Sequence, residues 1–456
     1  MNNKGYALPA VFIFLLVISI LATVAYDNAY RDIKETDQEI KQEDSLYYAE
    51  AGFNRYLYFL NENPKYYNTS DSTDMENQTA IPFKDGFYNL EITPPTMDNP
   101  YVTIVSTGWP SGKENESRTI EVNIRRRQFT NFIYGTGEET LPDGTPVWWT
   151  DDDVVNGPLH TNGTLNIDGD PTFNGEVSYS RNLNIRSGSN PTYTAGEPFK
   201  RNPLEFPNNN SELKTWAEAP GGYYYQGRTC ILINGDRLLI RNQDNPIEDR
   251  PLPSNGVIYV DNLNNEMDKW DLDSGNIFLS GELNGSLTIA AQNTIYITAH
   301  DPTNWSNLDT TGGITYANPT LDENNDDLLG LVSQRNIEIL HHGWPRYTYW
   351  TDHWSESNDV SVDDITIEAA IFALDGSFSF EDHDEGGSKG TITVNGPIVQ
   401  KDRGPVATFS SYYGYNISGY DTKDYSHDPR MAFDTPPHFL EPANAGWEVL
   451  NWREIN

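Results

Sequence analysis

The chain opens with a long apolar run, passes into a helical stripe, and then settles into period-two alternation of two distinct kinds. Tyr6 to Tyr26 carries no charge at neutral pH across 21 residues, roughly the ~20 that a helix needs to cross ~30 Å of hydrocarbon. Beyond it Ile33, Ile40, Tyr47, Ala51 and Leu57 keep a drifting face of about 3.6-residue period until Asn61-Glu62-Asn63-Pro64 stops the helix. The spacing predicts one helix over 6–63, membrane-spanning at first and amphipathic afterwards.

Three runs with alternation or β-branched enrichment follow: Gly86 to Thr93, Tyr101 to Thr107, and Thr119 to Ile124. Pro94-Pro95, Asp98-Asn99-Pro100 and Gly108 to Gly112 separate them, which predicts a small antiparallel meander. From about residue 131 the strand-like runs shorten to five or six residues, punctuated by Gly, Asn and Asp. Examples are Asn162 to Gly169, Gly256 to Val260, Leu283 to Ile289, Leu328 to Val332, Asn336 to Leu340 and Gly390 to Val394. Winding such strands so that each stacks on the previous coil buries a continuous apolar column, with Gly and Asn at the corners. The expected fold class is therefore mainly β with one long N-terminal transmembrane and amphipathic α-helix. Its small antiparallel sheet carries an inserted right-handed parallel β-helix; a β-sandwich or propeller is the rival, but its strands usually run longer.

The last run, Gly446 to Ile455, comes after Pro436-Pro437 and Pro442, which cannot donate to a strand ladder. It is expected to leave the coils and pair with one of the three early strands, making the β-helix an insertion between strands of the small sheet.

Charge narrows the partners. Against 67 Asp+Glu the chain sets 30 Lys+Arg, a net charge of −37. An anionic polymer or bilayer surface meets net repulsion, so nucleic acid is disfavoured; Arg125-Arg126-Arg127 is the one dense basic run and the candidate phosphate-binding element. Cys230 stands alone, which excludes an intramolecular disulfide. Lys4 before the apolar run and Asp27 after it orient the N-terminus to the cytoplasm and the remainder outside, at the cytoplasmic membrane or cell surface.

The apolar segment admits a cleaved secretory signal, a plain anchor, or a leader-bearing assembly helix. Met-Asn-Asn-Lys4-Gly5 placed directly before Tyr6-Ala-Leu-Pro-Ala10 resembles the prepilin cleavage site of the type IV pilin family, and Tyr48-Ala49-Glu50-Ala51-Gly52-Phe53 resembles an element of minor pilins of the X type. Val154 to Gly163, Leu329 to Val332, Ala369 to Ser379, Asp428-Pro-Arg430 and Trp447 to Glu454 resemble pilus-assembly proteins with a solenoid head. In plan the chain is also similar to a competence-associated minor pilin with a proposed DNA-receptor role. The resemblance implies cleavage between Gly5 and Tyr6. It implies a non-enzymatic membrane-anchored subunit whose partners are the membrane through 6–26 and other pilins or pilus-assembly subunits. At the fifth position after the cut stands Ala10, where major pilins carry an assembly carboxylate, which suits a subunit with none above it. The domain organisation so expected is a leader over 1–5, the helix over 6–63, a small sheet over 64–130, a β-helix over 131–430 and a return segment over 431–456.

Candidate chemistry is sparse. Trp148, Trp149, Trp344, Trp350 and Trp354 form two aromatic groups able to stack a surface polymer or glycan. His341-His342 with Asp352 and His353 lacks the spacing that fixes two metal ligands on one face. No cofactor is expected, and calcium is a weak candidate at Asp151 and Asp153 or at Asp382 and Asp384, where hard oxygen ligands cluster without a complete binding loop. No nucleophile motif or phosphate loop is present. A membrane-anchored polysaccharide-active enzyme on a β-helix, and a DNA-uptake receptor, are the alternative readings.

Overall fold

The computed structural model describes residues 7–151, 153–304, 310–318, 325–343, 346–348, 353–355, 359–410, 412–413 and 415–455. The chain is mainly β with one long N-terminal helix, and it divides into two compact units. Residues up to Pro95, Tyr101–Arg126 and Trp447 onward make the first; Thr96–Pro100 and Arg127–Gly446 make the second.

In the first unit α1 (Ala7–Glu62) runs unbroken for 56 residues, about 84 Å at 1.5 Å per residue. Among the described residues one helical stretch is long and apolar enough to cross a membrane, Leu8–Thr36, and its apolar window is wholly unburied. The other half of α1 is amphipathic and buries Ala49, Phe53, Tyr56 and Leu60, spaced to fall on one face. A single turn near Tyr66 and α2 (Ser70–Glu76), capped by the Thr69 hydroxyl accepting the Ser72 N–H at 3.2 Å, lead into the sheet.

That sheet is antiparallel: β1 (Ile81–Phe83), β2 (Gly86–Thr93), β3 (Val102–Pro110), β4 (Arg118–Arg126) and the C-terminal strand Trp447–Ile455 lie in that order. Alternation places Leu90, Ile92, Ile104, Ile120, Val122 and Ile124 under the helix. Burying each large side chain contributes about 1.5–3 kcal/mol. The C-terminal strand pairs with β4, Val449 opposite Ile124 and Trp452 opposite Val122, with a register shift between Val449 and Asn451. It therefore forms the outer edge of the sheet, and its shifted register breaks simple alternation of faces.

The second unit is dominated by parallel pairing. Val154–Val155, Leu159–Thr161 and Leu165–Ile167 each pair in parallel with a later strand, Thr172–Phe173, Val177–Tyr179 and Leu183–Ile185. Side chains 18 residues apart stack between them: Asn174 donates to Asn156 at 2.9 Å and Asn184 to Asn166 at 3.1 Å.

Strand order records how the chain is laid down. In one ten-stranded sheet, with every neighbouring pair parallel, Tyr134–Glu138 lies between Leu159–Thr161 and Ile398–Asp402. From that middle position the chain winds outward to Phe199–Lys200 at one end. It then passes through α3 (Ser211–Glu218) to Tyr223–Gln226 at the other end. Winding back through Val257–Asp261, Ser286–Ala291, Leu328–Ser333 and Ala370–Ala373, it rejoins its own start. Ile289, Leu331, Ile371 and Ile398 are fully buried along this sheet. Antiparallel departures occur at Thr229–Pro251, at Ala407–Ser426 and in the hairpin of Arg346–Thr348 with His353–Ser355.

Candidate functional site

The AEAG element of α1 has a packing explanation. Gly108 of β3 lies against the helix backbone: a Cβ there would collide with the Ala49 nitrogen and come within 2.5 Å of the Ser45 carbonyl oxygen. From the helix side, a Cβ on Gly52 would meet the Ser106 hydroxyl and the Tyr88 ring. Ser106 Oγ donates to the Ala49 carbonyl at 2.7 Å, and Trp447 Nε1 of the C-terminal strand donates to the Leu60 carbonyl at 3.2 Å. Small residues at 49, 52 and 108 thus let helix and sheet approach, and a tryptophan from the far end of the sequence pins the helix near its end.

Gly5 and Tyr6, the expected cleavage pair, lie outside the described residues. Ala10 is on the exposed apolar part of α1. In the basic run, Arg126 stands opposite Trp447 and Arg125 opposite Glu448 in the sheet ladder, while Arg127 reaches the Asn444 carbonyl at 3.5 Å in the second unit.

The aromatic pair divides. Trp149 is 3% exposed, wedged between Tyr134 and Phe173, with the Arg403 guanidinium 3.8 Å above its ring. Its Nε1 donates to Glu139 at 3.1 Å, and the same carboxylate oxygen takes Arg403 at 3.0 Å. A buried ring of this kind braces the core and is closed to a polymer. Trp148 is half-buried, with the Arg186 guanidinium 4.2 Å from its ring. Trp344 and Trp350 lie outside the described residues, and Trp354 occupies the hairpin strand opposite Tyr347.

The acidic candidates are largely engaged by protein donors. Asp153 is buried; one oxygen pairs with Lys423 at 3.1 Å and the other accepts the Thr150 N–H at 2.8 Å. Burial alone would raise its carboxyl, but Lys423, Arg403 and the Thr150 N–H outweigh that and hold it below the usual range. Asp151 accepts the Asp170 N–H at 2.6 Å. Asp382 lies 3.5 Å from His342 Nε2, and Asp384 is exposed. Among the described residues no three His, Cys, Asp or Glu side chains converge to hold a metal ion.

One titratable cluster emerges only in three dimensions. Glu381 forms an ion pair with Lys269 and accepts the backbone N–H groups of His341 at 2.9 Å and His342 at 3.1 Å. Glu338, in register with Tyr296 on one neighbouring strand and Ser379 on the other, is pushed up to about 7, first by burial and then by the negative charge of Glu381. His341 is held below its ordinary value by burial and by the stacked His342 at 4.0 Å. Glu338 and Lys269 carry no motif that marks them in sequence; only their convergence from separate stretches of the chain does.

A family model described as a domain of unknown function (DUF4900) matches residues 100–181. No curated protein matches. Among solved structures, the crystal structure of the competence-associated pilin ComZ from Thermus thermophilus is similar at a TM-score of 0.34 and 10% identity, over 91% of this chain and 98% of that one.

Proposed function

We propose that this chain is a membrane-anchored, non-enzymatic pilin-like structural protein, of the minor X type, built to stand at the end of a pilus. The observation that carries the reading is α1. Its apolar stretch Leu8–Thr36 is unburied, and the same unbroken helix continues into an antiparallel sheet through Ala49, Gly52 and Phe53. A helix that is apolar all round needs lipid or other apolar helices about it. One that turns amphipathic without a break couples that environment rigidly to a folded head.

In this reading the first unit is the stem and adaptor, and the second is a right-handed parallel β-helix displayed outside the cytoplasmic membrane. Parallel strands recurring 18 residues apart, with side chains hydrogen-bonded at the same interval, support the coil assignment. Ala10, in place of a carboxylate, supports a position with no subunit stacked above. The net charge of −37 weighs against a nucleic-acid partner.

Mass spectrometry of the mature N-terminus tests the reading. Processing between Gly5 and Tyr6 is expected in cells that hold a prepilin peptidase; a start at Tyr26, or an uncut Met1, overturns it.

A further inference from the structure

A cleft of about 430 Å³ opens in the second unit between the loop after Asp261 and three successive corners of the parallel strands. This volume lies within the ~300–1,000 Å³ of small-molecule sites. Six of its nine lining residues carry side-chain amides, with Arg335, Asp375 and Met267 as the other members.

The base of the cleft is held in place by hydrogen bonds. Asn293 is buried, donates to the Glu266 carbonyl at 3.1 Å and accepts from Asn262 at 3.2 Å. Asn336 donates to Glu338 at 2.9 Å and accepts the Ser377 N–H at 3.1 Å. Gln334 accepts the Asn210 N–H at 3.1 Å and donates to Asp375, whose other oxygen pairs with Lys401 at 3.2 Å.

Against that fixed base, several groups are left open. Gln292 spends its carbonyl oxygen on the Tyr259 hydroxyl at 2.7 Å, and among the described residues its amide NH2 has no partner. The guanidinium of Arg335 likewise has no hydrogen-bond or ion-pair partner among the described residues, although the chain holds 67 carboxylates. Asn265 on the facing wall is unengaged, and Met267, 53% exposed, adds an apolar surface beside it.

Open donors in one cleft with amide and carboxylate acceptors and one apolar side chain suit a ligand whose groups each donate and accept. An isolated anion would meet Asp375 and the field of the whole chain, and an apolar ligand would strip water from the amides without replacing it. We infer that this cleft binds a neutral saccharide, one or two rings of a glycan chain, with Arg335 and Gln292 donating to its hydroxyls. The site does not depend on how α1 is processed or assembled.

The test uses the full chain reconstituted in lipid nanodiscs, free of sugar-based detergent. It is titrated calorimetrically with neutral hexose and N-acetylhexosamine disaccharides, and in parallel with hexuronate disaccharides. Saturable binding of a neutral disaccharide at a Kd of about 1 mM or tighter is expected. Arg335→Ala and Gln292→Ala should each weaken it at least about tenfold, the loss of one well-placed polar contact. Arg335 has an exposed side chain with no partner to lose among the described residues, so the melting temperature of Arg335→Ala should match the parent's, which separates lost binding from lost folding. The inference is overturned by no neutral binding up to about 20 mM, by binding that both variants leave intact, or by binding confined to the hexuronates.

Discussion

Gly108 in β3 sits directly beneath the backbone of Ala49 in α1, and no side chain fits between them. The contact lies on the line where the amphipathic half of the helix meets the sheet, so it sets their separation. Gly108→Val places branched carbon against main-chain atoms that cannot step aside. We expect about 2–4 kcal/mol of destabilisation of the first unit, read as a lower melting temperature and faster proteolysis within 64–126. A change under about 0.5 kcal/mol means the helix is not seated there.

Trp447 links the last strand to α1 through its indole N–H on the Leu60 carbonyl. Trp447→Phe keeps most of the apolar contact and removes the donor, and should cost on the order of 1 kcal/mol. Trp447→Ala also removes packing, and should cost about 3–5 kcal/mol. Hydrogen exchange at Asn61 and Asn63 reports the difference. Equal protection in all three proteins argues that the strand is held by its ladder alone.

Inside the second unit, Arg403 and Glu139 are an ion pair with 7% and 1% of their side chains exposed. Arg403→Met strands the carboxylate and should cost about 3–5 kcal/mol. Adding Glu139→Gln, which can still accept from Trp149, should restore most of that loss. If the double variant is no more stable than the single one, the arginine acts through packing on Trp149 and not through charge.

Glu338 gives a pH signature with a definite sign. Its carboxyl is raised in the folded chain from an ordinary 4.5 to about 7, so between those values the folded state holds a proton that the unfolded state has lost. The contribution to stability is whole below pH 4.5, falls as pH rises through 7, and is flat above. Glu338→Gln carries no such penalty and keeps the hydrogen bond from Asn336. It should be more stable than the parent at pH 8, on the order of 1–3 kcal/mol, and indistinguishable at pH 4.5. Chemical denaturation at both values checks this, and parallel curves across the range sink it.

Local periodicity determined the elements of the first unit. The uncharged run and the 3.6-residue stripe determined α1, and period-two alternation determined β2, β3 and β4, each recognisable because the pattern repeats within a few residues of itself. Alternation in the second unit likewise marked short strands with Gly and Asn corners. Which strand lies beside which was decided only by the tertiary structure, because the parallel ladder joins Tyr134–Glu138 to Ile398–Asp402 across most of the chain. The same holds for the sites. Trp148 and Trp149 read alike as neighbours, yet one stays half-buried at the surface and Arg403 closes over the other. Glu338 and Arg335 are two ordinary residues on a polar corner in sequence. One gains its raised carboxyl from burial and from Glu381 at the end of a neighbouring strand, and the other stands with its guanidinium open in a cleft lined mostly by amides, and neither environment can be read from residues close in the chain.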